Sequence, residues 1–102
     1  MILKYQGKEY EPMITRKGER NARQMLKTSF GESQNDVLAM LDFLFVAAMY
    51  KYRKSPQECF DILECVLGDD GAEAQTTIEE LTTQLGEEYS KLFGLGDTTI
   101  AE

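Results

Sequence analysis

Apolar residues concentrate in one stretch, Val37 to Tyr52 (VLAMLDFLFVAAMYKY), interrupted only by Asp42 and Lys51. It falls short of the ~18 unbroken apolar residues of a membrane span, but is long enough for a buried helix of about four turns. Its cationic end (Lys51, Arg53, Lys54) predicts that the helix runs to about Lys54, where positive charge meets the negative end of the helix dipole. On a helical wheel Val37, Leu41, Leu44 and Ala48 form one stripe. Met40, Phe43, Ala47 and Tyr50 form a second about 60–100° away, and Leu38, Phe45 and Met49 a third. Only a narrow sector around Asp42 and Arg53 is polar. A helix that is apolar all round has to be surrounded. Two readings are open. Either the remaining elements cover it, or the stripe Met40, Phe43, Ala47, Tyr50 faces a partner or another copy, because large exposed apolar patches are rare on soluble monomers.

The flanking patterns supply the covering elements. Leu3 and Tyr5 alternate with polar residues ahead of Gln6-Gly7, predicting a β-hairpin over about residues 2–11 with Gly7 at positive φ, packed through Leu3, Tyr5 or Tyr10. Arg16, Arg20, Arg23 and Lys27 recur at i, i+4, i+7 and i+11, one face of a helix whose other face holds Ala22, Met25 and Leu26. Gly18 is costly inside a helix, so this helix is expected to start after it. Phe30-Gly31 should close it, and Ser33 or Asn35 should cap the central helix, with Asp36 favourable at its positive end. Ser55-Pro56-Gln57-Glu58 is a capping box with proline at the first helical position, followed by a stripe of Cys59, Ile62, Leu63 and Val66 and by Gly68 as C-cap. After a polar linker, Asp69 to Gln75, Thr77 opens a last helix with Ile78, Leu81, Leu85, Tyr89 and Leu92 on one stripe. Gly94-Leu95-Gly96 should end it. The fold class is therefore mainly α: a single domain, residues 1–94, of three to four helices around the central apolar helix, with an N-terminal hairpin and a flexible tail, 95–102.

Composition adds charge segregation. The chain has 102 residues and a net charge of −7. Residues 1–54 carry ten basic and six acidic groups, whereas residues 55–102 carry Lys91 alone against twelve acidic groups. Such asymmetry can steer partners or be neutralised within the fold. The basic stripe suits a solvated surface or contact with an acidic protein. A nucleic-acid role is disfavoured by the acidic total and by the lack of interleaved aromatics.

Candidate chemistry is sparse. There is no histidine, no phosphate-binding glycine loop and no nucleophile elbow, and the paired acids fall on exposed positions, so no catalytic residue, cofactor or metal site is expected. Asp69-Asp70-Gly71 lacks the later ligands of a calcium loop. Cys59 and Cys65 sit six apart, about 120° around one helix, and read as buried free thiols. Leu3-Lys4 interrupts any signal-peptide core, so an intracellular location without membrane insertion is expected.

Three stretches resemble the tail assembly chaperones of long-tailed (siphovirus-type) bacteriophages and prophages. They are the opening ILKYQGKEY, the block MLDFLFVAAMYKYRKSPQECFDIL and the closing TIEELTTQLGEEYSKLFG, together about half of the chain. The resemblance implies a small, mostly helical, non-catalytic protein of the bacterial host cytoplasm, absent from the mature virion. It would bind the helical tape-measure protein and possibly the major tail protein. The family has no catalytic residues, so none are carried over. A holdase needs apolar surface for an amphipathic client and net charge for solubility, which suits the two features above. The alternative function is a small acidic regulatory or inhibitor protein that binds a basic partner surface through Glu79, Glu80, Glu87 and Glu88.

Overall fold

A computed structural model describes residues 1–69, 71 and 73–94, so the expected tail lies outside the described residues. In chain order they form strands β1 (Leu3–Tyr5) and β2 (Lys8–Tyr10), then helices α1 (Arg16–Leu26), α2 (Phe30–Ser33) and α3 (Val37–Ala48). A 3-10 turn (Tyr50–Tyr52), α4 (Pro56–Leu67) and α5 (Ile78–Phe93) follow. The mainly helical fold with an N-terminal hairpin agrees with the sequence pattern. No helix among the described residues is long and apolar enough to cross a membrane.

The central helix α3 is wrapped by the rest. Every residue from Phe43 to Met49 is buried, and only its first turn, Val37 and Leu38, is exposed. Asp36 rather than Ser33 or Asn35 is its N-cap, its carboxylate accepting from the Leu38 and Ala39 amides at 2.9 and 3.3 Å. Ser33 instead lies inside α2, where its hydroxyl donates to the Phe30 carbonyl. The helix also stops at Ala48, short of the expected Lys54. The Ala48 carbonyl accepts from the Met13 amide at 2.9 Å, and the chain tightens to Tyr52 N–H donating to Met49 O. Arg53 then closes the 3-10 turn in the left-handed region, at φ 57°.

Gly18 shows why α1 can lie so close. The helix begins at Arg16, two residues before the expected start, with the Thr15 hydroxyl accepting from the Gly18 amide at 2.9 Å. Gly18 is buried, and a Cβ there would overlap the Ala47 carbonyl oxygen and lie 3.1 Å from Tyr50 Cβ. Its cost in helix propensity is offset by close contact with the last turn of α3. Lys27, left-handed at φ 56°, closes α1 before Phe30-Gly31, and Ser29 caps the extra single-turn helix α2. Ala22 faces the core as expected and Leu26 is half-buried, but Met25 points to solvent.

The later caps follow the sequence. Ser55 and Glu58 form the reciprocal capping box with Pro56 at its expected place, and Gly68 caps α4 at φ 85°. Thr77 caps α5, and Gly94, at φ 73°, ends it. Cys59, Ile62, Leu63 and Val66 of α4 and Leu81, Leu85 and Tyr89 of α5 join the core, whereas Ile78 stays partly exposed. In the hairpin Leu3 pairs with Tyr10, and Gln6 and Gly7 both take positive φ, as a tight two-residue turn requires. Leu3 and Tyr10 are buried, and Tyr10 meets Tyr52 edge-on at 4.9 Å. The free edge of β1 is clamped by Gln75, whose side-chain amide both accepts from the Lys4 amide and donates to its carbonyl, each at 2.7 Å.

Candidate functional site

The structure corrects the proposed apolar contact stripe. Phe43 and Ala47 are 0% exposed, so the chain's own elements cover them and no partner can reach them in the folded protein. Phe43 lies beside Phe30 of α2, which in turn stacks on Tyr89 of α5 with centroids 4.1 Å apart. Met40 is half-buried against the core, and Tyr50, also half-buried, leaves the stripe because the 3-10 turn re-aims it.

The basic stripe is also divided. Arg16 is drawn to the end of α5, where its guanidinium donates to the Leu92 carbonyl at 3.1 Å and sits 5.4 Å from the Phe93 ring centre. A cation there complements the negative helix end. Arg23 pairs with the buried Glu19 at 2.9 Å. Arg20 is exposed and shares a shallow hollow of about 300 Å³ with Arg23 and Gln24. Lys27 lies past the helix as its left-handed cap, so the regular spacing ends at Arg23.

One member of each expected set, Tyr50 and Arg16, comes together in a groove that no single stretch of sequence announces. Ile14, Thr15, Arg16 and Lys17 form one wall, Tyr50, Lys51 and Arg53 the other, and Leu92 closes the end, around an open volume of about 620 Å³. Its accessible apolar surface comes from the half-buried Tyr50 and Leu92, since Ile14 is only 6% exposed. Its rim is four cations. The Ile14 amide donates to Glu88 Oε1 at 3.3 Å, which ties this wall to α5. Arg53 lies 5.1 Å from the Tyr50 ring centre and Lys51 5.2 Å from that of Tyr52, both cation–π arrangements. Helix-end position alone accounts for Lys51 and Arg53 in the sequence; their part in a groove depends on the chain leaving the helix at Met49, which local sequence does not signal.

Among the described residues the ion pairs are Arg23–Glu19 and Lys54–Glu58, both one helical turn apart. No pair therefore joins the groove's cations to the acidic faces of α4 and α5. Titration is perturbed elsewhere. Burial, then Asp36 and Glu64, raise the Asp42 carboxyl above its ordinary value. Burial pushes the Cys59 thiol up to about 11, which makes it inert at neutral pH. Burial likewise raises Tyr89. Neither cysteine is bridged, and no acidic or thiol cluster among the described residues could hold a metal ion. The arrangement offers an apolar trough rimmed by cations that form no ion pair among the described residues. No family model, curated protein or solved structure matches the chain.

Proposed function

We propose that this chain is a non-catalytic binding protein that acts as a tail assembly chaperone, binding the helical tape-measure protein in the host cytoplasm, with tail-tube subunits as a possible second partner. The groove of Ile14, Tyr50 and Leu92 under Arg16, Lys17, Lys51 and Arg53 carries the reading, since an amphipathic client helix is held by apolar anchors flanked by charge. The resemblance of the three stretches supports it, and the small helical fold with a hairpin agrees with that resemblance. The contact surface moves from the buried Phe43 and Ala47 to this groove. Co-expression with a tape-measure fragment tests the reading: the fragment should become soluble and co-purify with the chain. A fragment that stays insoluble, or soluble but unbound, would refute it.

A second reading has its own observation. Glu79, Glu80 and Glu87 on α5 are exposed and have no ion-pair partner among the described residues, as in a small acidic inhibitor of a basic partner. Salt separates the two by degree, because a purely electrostatic complex weakens steeply with ionic strength and one anchored on apolar surface weakens less.

A further inference from the structure

We infer that the groove binds an acidic amphipathic helix of a partner protein, seating its apolar side chains on Tyr50 and Leu92 and its carboxylates on Arg16, Lys17, Lys51 and Arg53. The inference rests on the binding reading above and names the chemistry of the partner segment. Charge complementarity selects an acidic partner. All four cations lack a carboxylate within ion-pair distance among the described residues, so a ligand displaces no existing pair. The floor selects an amphipathic one, because simple anion binding makes no use of an apolar trough. The volume, about 620 Å³, is that of a site for a few side chains. The donors are also partly organised in advance. Arg16 is fixed by the Leu92 carbonyl and the Phe93 ring, and Arg53 by the Tyr50 ring, which lowers the ordering cost on binding. Guanidinium groups held in this way suit two-pronged carboxylate recognition. The same contacts disfavour single-stranded nucleic acid, since Arg16 and Arg53 occupy faces of Phe93 and Tyr50 on which bases would stack.

The test uses the full chain and a fluorescent synthetic helix with leucines at i and i+4 flanked by glutamates, followed by anisotropy. Saturable binding is expected, weakened about tenfold by the double change Lys51→Glu with Arg53→Glu at unchanged melting temperature. It should be lost when the probe's leucines become serines, a change that leaves the protein untouched. Equal affinity for the double variant, or for a probe carrying lysines in place of glutamates, overturns the proposal. So does displacement of the probe by a thymidine oligonucleotide, or self-association of the chain that the double variant abolishes while the probe stays unbound. Probe binding confined to a chain ending at Gly94 overturns it too, since residues 95–102 would then be the occupant. Co-expression separates this proposal from the chaperone reading. A tape-measure fragment solubilised equally by wild type and double variant sinks the groove alone, and one solubilised by neither sinks the chaperone role alone.

Discussion

Two glycines inside helices of this chain should respond to alanine with opposite signs. At Gly86 of α5 a new Cβ meets nothing within 4 Å. Gly86→Ala should therefore gain the helix-propensity difference, about 0.5–1 kcal/mol. At Gly18 the same gain is opposed by contact with the Ala47 carbonyl oxygen and by Thr15 Oγ1 and Tyr50 Cβ, each at 3.1 Å. Ala47 O belongs to the backbone of a buried helix and cannot rotate aside, so α1 must lift off α3. Overpacking of this kind costs about 1–3 kcal/mol. Lifting α1 also strains the Met13–Ala48 backbone bond, worth about 1 kcal/mol. Net of propensity, Gly18→Ala should destabilise by about 2 kcal/mol. For a domain of this size that lowers the melting temperature by about 8–16 °C, whereas Gly86→Ala should raise it by about 2–8 °C. Urea titration followed by circular dichroism reads both changes. A Gly18→Ala protein as stable as Gly86→Ala would show that the two helices can part at no cost, and the close-approach argument would fail.

Two further outcomes follow from the titration shifts. Because Asp42 is raised above 3.8 by burial first and then by Asp36 and Glu64, the native state holds its proton longer than the unfolded chain. Stability from this group therefore falls as pH rises through that window, and Asp42→Asn should stabilise at neutral pH but not below about pH 4; an equal gain at both pH values would contradict this. Cys59, raised from 9.0 to about 11, should resist a thiol reagent in the native state while the half-buried Cys65 reacts. Its contribution to stability should fall as pH climbs from about 9 toward 11, since the unfolded thiol ionises first. Labelling of both cysteines at one rate would count against the packing of α4.

The parts of the fold that were legible in sequence are those fixed by local chemistry. Ser55 with Pro56 and Glu58, Thr77, Gly68 and the Gln6-Gly7 turn each satisfy their own nearby backbone groups, so a few adjacent residues determine them. What escaped was set by distant segments. Gly18 reads as a helix cost until Ala47 is brought against it. The end of α3 depends on the amide of Met13, 35 positions earlier. A helical wheel shows how apolar α3 is, but not that α1, α2, α4 and α5 all pack on it. The groove was hidden for the same reason, its walls coming from residues 14–17, 50–53 and 92.

The Gln75 clamp on Lys4 has a consequence for the order of events during synthesis. An isolated two-stranded hairpin is marginal in water, and the group that satisfies the free edge of β1 lies 71 positions downstream. At translation rates of roughly 5–20 residues per second, that group is made about 4–14 s after the strand it secures. Strand β1 is thus made well before the residue that fastens it. Over the same interval α3 emerges without α4 and α5 to cover it, so the nascent chain passes through a stage in which its most apolar helix depends on α1 and α2 alone.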